Sequence, residues 1–162
     1  MLLDHEKVLT FLPHRDPFLF VDTIESVRLD GWTFGEGIVE TKESIGTEVV
    51  GHYYCREDHP IFEGHFPGKP ILPGVVQVEM MAQGSSFSIL TVHPEPFGSH
   101  ALDIALMSVS NAKFRKPVLP GMNLVMKSRL TKYRGTMMAC DCMLFNEGTL
   151  MSEVSVLASI RF

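Results

Sequence analysis

Apolar and polar positions divide the chain into a short helix, a set of extended runs, one long apolar helix and a closing series of strands. Asp4-His5-Glu6-Lys7-Val8-Leu9-Thr10-Phe11-Leu12 reads as a short helix with an acidic first turn, stopped before Pro13. FLFVDTIESVRL (18–29), WTFGEGIVETK (32–42) and TEVVGHYY (47–54) are rich in β-branched and aromatic residues, with breaks at Gly31 and Gly46, and are expected to be strands. From Pro60 to Gly74, PIFEGHFPGKPILPG holds four prolines and three glycines, which neither a helix nor a central strand tolerates. It must be a loop of defined shape, and Pro73-Gly74 then opens a helix. GVVQVEMMAQGSSFSILT (74–91) is apolar nearly all round, so this helix is expected to be buried. Gln77, Glu79, Gln83 and several serines interrupt it and make it a poor membrane span.

After the connection HPEPFGSH, strand-like runs return at 102–114, 122–134, 136–145 and 149–162, with tight hairpins at Arg134-Gly135 and Asn146-Glu147-Gly148. One buried helix among six or seven strands predicts an α+β domain spanning 1–162, with an antiparallel sheet curled around that helix. An open sheet leaves edges, so pairing of two copies is expected.

Composition changes this picture little. The chain has 162 residues, 45% hydrophobic and 20% charged, with a mean hydropathy of +0.13, which fits one compact domain and excludes a disordered or low-complexity chain. Charge adds more. Residues 1–112 carry 6 Lys/Arg against 16 Asp/Glu, net −10, and residues 113–162 carry 8 against 3, net +5, giving the overall −5. The basic stretch suits either solvated strand faces or an anionic partner. Duplex nucleic acid is excluded as a partner by the acidic total and the lack of a recognition motif. The odd count of three cysteines makes no disulfide framework, and the acidic start of MLLDHEKVLTFL lacks a secretory apolar core, so a reducing cytoplasm is expected. Cys140 and Cys142 alternate with Asp141 and should share the core face of one strand.

Two residues stand out chemically. Glu79 is the only charged side chain between Lys69 and Glu95, in the middle of a helix that should be dry. A lone buried carboxylate costs several kcal/mol, so its pKa should rise and leave it poised as a general acid. Otherwise it lies at a helix surface or in a subunit contact. His65 sits in the rigid loop between Gly64 and Phe66-Pro67, where Phe66 is held extended by the following proline, and a histidine there can serve as a general base near neutral pH. Gly74, at the start of the long helix, offers N–H groups to an oxygen that gains negative charge, or is simply a turn residue.

The string GHFPGKPILPGVVQVEMMAQ (64–83), preceded by LPHRDPFLFVD (12–22) and followed by AKFRKPVLPG (112–121), resembles the bacterial 3-hydroxyacyl-[acyl-carrier-protein] dehydratases of the hotdog fold. The three blocks fall in the family order and cover most of the chain. The resemblance implies that His65 is the catalytic histidine, Glu79 its acidic partner, and Gly74 the amide that binds the thioester carbonyl, with Gln83 orienting the carboxylate. It implies a homodimer in which each site draws on both subunits, with assembly beyond the dimer left open. The substrate would be a (3R)-hydroxyacyl chain on the phosphopantetheine arm of acyl carrier protein, converted to the trans-2-enoyl thioester without metal or other cofactor. Lys113, Arg115, Lys116, Lys132 and Arg134 are then candidates for docking the acidic carrier. Phe87, Ile89 and Leu90 would line an acyl tunnel or simply pack the core.

The sequence also departs from the family pattern. Ser108-Val109-Ser110 stands where the family often has Gly-Ile-Asp, and a tunnel-gating tyrosine has no clear counterpart in FGSHALDIALMS (97–108). Glutamate at 79 matches the simple dehydratases rather than the dehydratase-isomerases, which typically have aspartate. A hotdog thioesterase and a non-catalytic carrier-binding module are the rival readings. A zinc site from His52, Cys55, His59 and His65 matches no compact zinc signature.

Overall fold

The computed structural model describes residues 1–93 and 102–161. The connection HPEPFGSH, apart from His93, and part of the segment considered for a gating tyrosine lie outside the described residues. The elements run α1 (His5–Phe11), β1 (Thr23–Arg28), β2 (Glu48–Tyr54), α2 (Ile61–Gly64), α3 (Gly74–Ser85), a 3-10 helix (Ser86–Thr91), β3 (Asp103–Phe114), β4 (Asn123–Arg134), β5 (Met137–Asn146) and β6 (Thr149–Arg161). Among them the six strands form one antiparallel sheet in the order β1-β2-β4-β5-β6-β3. The expected α+β architecture is borne out.

Local chemistry explains where elements begin and end. Asp4 caps α1 by accepting the Lys7 N–H at 3.0 Å, while Val8 and Phe11 enter the core. Arg15 fastens the next segment, donating to the carbonyls of Leu9, Leu12 and His14 at 3.0, 2.8 and 2.6 Å. β4 and β5 bury every second residue, Leu124, Met126, Ser128 and Leu130, then Met138, Cys140, Cys142 and Leu144, and the middle of β6 continues the alternation with Val154 and Val156. The two cysteines thus occupy the core face expected of them.

Three expected elements take a different form. The Pro/Gly stretch 60–74, expected to be loop throughout, begins with one helical turn, α2, which Pro60 can precede because a helix start needs no proline N–H. The run 32–42 is not a strand: Gly31, Gly35 and Gly37 adopt φ of +74°, +87° and +135°, and only a Leu29–Trp32 bridge forms there. Left-handed turns interrupt the extended chain before it can complete a ladder. The helix expected over 74–91 is α-helical only to Ser85. The hydroxyls of Ser85, Ser86, Ser88 and Thr91 each donate to the carbonyl three residues back, at 2.9, 2.7, 2.8 and 2.9 Å. These bonds accompany the tighter 3-10 turn and satisfy the buried hydroxyls internally.

The helix packs across β4, β5 and β6 of the sheet, and close approach at Gly84 is specific, since a Cβ there would sit 3.1 Å from the Met126 sulfur. Full burial was expected, but a stripe is left open: Val75 is 77% exposed, with Glu79 and Ala82 half-buried beside it. Edge strand β3 is likewise open, with Leu106, Met107, Val109 and Phe114 exposed. Phe87, Ile89 and Leu90 are buried in the core, Phe87 stacking on Phe11 at 4.1 Å.

Candidate active site

The Pro/Gly loop holds His65 by a short circuit of its own backbone. Ile71 N–H donates to the His65 carbonyl at 3.0 Å, and the His65 ring meets the Ile71 carbonyl through Nδ1 at 2.7 Å. A carbonyl only accepts, so Nδ1 carries the hydrogen and Nε2 is left as the basic nitrogen. The ring stacks on Phe66 at 4.0 Å, across a cis His65–Phe66 peptide. Leu72 N–H donates to the Val118 carbonyl, tying the loop to the segment after β3.

His65 shares a cleft of about 540 Å³ with Gly74, Gln77, Phe114, Arg115 and Lys116. Intrahelical bonding at the N-terminus of α3 starts with Val76 and Gln77, which donate to the Pro73 carbonyl. The N–H groups of Gly74 and Val75 therefore have no acceptor within the helix and lend the cleft a positive end. A Cβ on Gly74 would lie 2.9 Å from two Phe114 ring carbons, so only glycine lets that ring rest on the helix start. The register of β3 shifts between Ser110 and Lys113, with Asn111 at φ +53°, and this bulge re-aims the strand end that carries Phe114.

Glu79 does not line that cleft. It lies on the open stripe of α3, about 200° around the helix from Gln77 at 100° per residue. Its Oε1 accepts from Gln83 Nε2 at 2.9 Å and meets His14 Nε2 at 3.2 Å. Gln83 Nε2 also donates to the Phe18 carbonyl, and Gln83 Oε1 accepts the Phe20 N–H, both at 2.9 Å. The glutamine thus joins the helix to the 18–20 segment. The expected upward pKa shift of Glu79 is reversed. The His14 hydrogen bond, the largest influence, holds the carboxyl below its ordinary value; burial opposes it, and Gln83 adds to the lowering.

The proposed docking residues separate. Arg115 and Lys116 line the cleft, with Lys113 just before them, and Arg115 pairs with Glu153 at 3.0 Å. Arg134 aligns through Met137 with Ser159, whereas Lys113 aligns with Glu153. Six residues along β6 amount to about 20 Å, so Lys132 and Arg134 stand at the other end of the sheet. The sequence reading missed His14, Gln77 and Phe114. His14 and Phe114 lie in the LPHRDPF and AKFRKP blocks, and Gln77 lies on the helix itself, donating to the Leu72 carbonyl at 3.1 Å. Among the described residues no group of three or more His, Cys, Asp and Glu is placed to hold a metal.

Comparison with known proteins defines the class. Residues 12–155 match the FabA-like domain, and the chain belongs to that family. At the level of individual proteins, it is similar to "3-hydroxyacyl-[acyl-carrier-protein] dehydratase FabZ" of Bartonella henselae, with 39% identity over 98% of this chain and 90% of the relative. The protein of the same name from Anaplasma phagocytophilum is 37% identical over 99% of both chains. Among solved structures, the dehydratase heterocomplex ApeI:P from Xenorhabdus doucetiae matches with a TM-score of 0.63 at 15% identity, covering 96% of this chain and 91% of that one. A Thermus thermophilus thioesterase superfamily member matches with a TM-score of 0.56 at 23% identity, covering 72% and 82%. These two likenesses concern the fold, and with the sheet and central helix they bear out the hotdog expectation.

Proposed function

We infer that the protein dehydrates a 3-hydroxyacyl chain carried by acyl carrier protein to the 2-enoyl thioester, in fatty-acid biosynthesis. Near full-length similarity to the named dehydratases supports the reaction. For the site, the observation that carries the reading is His65, whose Nδ1–H is committed to Ile71 and whose ring shares a cleft with the N-terminus of α3.

In this mechanism, His65 Nε2 takes a proton from C2 of the (3R)-hydroxyacyl thioester. The developing charge on the thioester oxygen is stabilised by the Gly74 N–H. Glu79 gives its proton to the C3 hydroxyl, which departs as water and leaves the trans-2 double bond. His65 then releases its proton to solvent and Glu79 regains one, so the net change is loss of one water. No residue needs a metal or an electron acceptor.

Glu79 is not in the lining of its own chain's His65 cleft, and the proposed working site pairs Glu79 with the partner's His65 in a homodimer. Exposed Val75 beside Glu79 and the open apolar edge of β3 are the surfaces a second copy would cover. Covering Glu79 removes solvent from its carboxyl, which favours the protonated form that an acid requires. The carrier would dock at Arg115 and Lys116 beside the cleft. The place of action proposed is the cytoplasm; among the described residues no helix is long and apolar enough to cross a membrane.

The test is incubation with a 3-hydroxyacyl thioester, following water loss by mass and enoyl absorbance. Dehydration that collapses in both His65→Ala and Glu79→Ala is expected. Release of free acid with the hydroxyl intact would establish a thioesterase instead, and dehydration that survives both substitutions would remove these residues from the site.

A further inference from the structure

We propose that His14 is a positioning residue for the acid of this site: its Nε2–H holds Oε1 of Glu79, leaving Oε2 to carry the proton delivered to the substrate hydroxyl. The inference deepens the dehydratase reading and rests on it.

The hydrogen-bond inventory around Glu79 leaves little freedom. Phe20 N–H can only donate, so Gln83 must present its oxygen to Phe20 and its nitrogen to the Phe18 carbonyl and to Glu79. The amide is therefore fixed as a donor to Glu79 Oε1. His14 Nε2 approaches that same oxygen at 3.2 Å. The ring's other nitrogen, Nδ1, is buried with no hydrogen-bond partner among the described residues. A hydrogen placed there would be a buried, unsatisfied donor, costing about 1–3 kcal/mol. The neutral ring therefore keeps its hydrogen on Nε2 and donates to Glu79. An oxygen that accepts two hydrogen bonds is a poor seat for the transferable proton, whereas Oε2 carries no hydrogen bond among the described residues.

The backbone that carries the ring is fixed. Arg15 donates to the His14 carbonyl and to the carbonyls of Leu9 and Leu12, fastening His14 to the end of α1. Neighbouring titratable groups do not compete for Glu79. Cys140 and Cys142 on β5 are kept protonated by burial, and Cys142 lies 3.9 Å from the Met81 carbonyl. His65 lies at the cleft on another side of α3. Among the described side chains, His14 and Gln83 are the ones that act on the Glu79 carboxyl.

His14→Ala, His14→Gln and His14→Asn would be compared in the full-length protein, with folding checked by circular dichroism. His14→Ala should lower kcat by about tenfold or more, a fraction of the roughly 100- to 10,000-fold that a positioned acid supplies, with KM nearly unchanged. The alkaline limb of its kcat profile should move to higher pH, because burial then acts on Glu79 without the opposing hydrogen bond. His14→Gln, which keeps a donor at the Nε2 position, should restore most of kcat; His14→Asn, with its donor at the Nδ1 position, should not. In a Glu79→Ala background His14→Ala should have no further effect. Normal kcat in His14→Ala, equal rescue by Asn, or the same loss in the Glu79→Ala background would each overturn the proposal. Carbon-13 titration of the Glu79 carboxyl reads the contact independently of turnover. An upward shift in His14→Ala supports it and no shift refutes it, even where failure of the wild type to dehydrate has already sunk the functional reading.

Discussion

The two sides of α3 are built by opposite means. On the Gln77 side, a rigid loop and a bent strand end converge on the helix N-terminus, enclosing backbone donors and the His65 ring in one cleft. On the Glu79 side, a carboxylate stands on an open stripe, steadied by Gln83 and by a histidine brought in from the chain after α1. In the proposed mechanism the first side supplies the base and the helix end that stabilises the oxyanion, and the second supplies the acid. A helix places residues two apart about 200° around its axis, so Gln77 and Glu79 point away from each other however well the protomer folds. The division explains why a chain of this size would hold the parts of an active site without assembling them alone.

The strongest way to break this comparison is to separate the halves genetically. His65→Ala and Glu79→Ala should each lower kcat by roughly 100-fold or more. Refolded together in equal amounts they should recover about a quarter of wild-type activity: random pairing makes half the dimers mixed, each with one of two sites intact. A mixture no more active than its components would place both residues in a single-chain site and end the two-sided account.

A smaller effect is expected at the N-terminus of α3. The Cβ of Gly74→Ala would sit 2.9 Å from Phe114 ring atoms, so the ring or the helix start must shift, displacing the donors that face the thioester oxygen. Loss of one such donor typically costs about 100- to 1,000-fold in kcat; a displacement that keeps the donors should cost less, about tenfold. Adding Phe114→Ala removes the clash and should return part of the rate. Equal activity in Gly74→Ala would show that the close packing has no part in catalysis.

Much of this asymmetry was legible in the sequence, and the parts that were not share a physical cause. The Pro/Gly loop, the long helix, the β3–β6 series and the burial of Cys140 and Cys142 follow from local pattern, because each depends on backbone preference or residue period. His65, Gly74 and Glu79 were visible from where they stand in the sequence, and Gln83 only through the family resemblance. The pKa direction of Glu79 was not: it depends on His14, 65 residues away, whose approach is decided by how α1 and its following loop pack. The strand expected at 32–42 failed because three left-handed glycines outweigh its aromatic and β-branched content. Lys132 and Arg134 were grouped with Arg115 by sequence proximity, and only the sheet register separates them.

Stability sharpens the Glu79 side. Gln83 is 2% exposed, and Gln83→Ala strands the buried Phe20 N–H, so unfolding free energy should fall by about 1–3 kcal/mol in a denaturant titration. The Glu79 carboxyl adds a pH signature. Its folded pKa lies below its ordinary value of 4.5, so its stabilising contribution is present above that value and is lost as pH falls through the lowered folded pKa. His14→Ala should flatten this part of the stability profile, below pH 4.5. A stability loss under about 0.5 kcal/mol in Gln83→Ala, typical of a surface change, would show that the glutamine does not fasten the helix to the 18–20 segment.

The smallest expected effect concerns the rim of the His65 cleft. Arg115 is paired with Glu153, an exposed ion pair of the kind that contributes little to stability, so Arg115→Ala should leave the fold intact. Its guanidinium stands where an acidic carrier would approach a thioester entering the cleft, and removing one rim charge chiefly slows association. KM for carrier-bound substrate should therefore rise about threefold to tenfold at low salt, with little change for a short thioester lacking the carrier, and the difference should shrink as salt screens the encounter. Lys132→Ala, some 20 Å away along the sheet, should leave both substrates unaffected. Equal losses on both substrates in Arg115→Ala would make that residue part of the cleft's own chemistry, and a carrier-specific loss in Lys132→Ala would mean that the docking surface extends across the sheet.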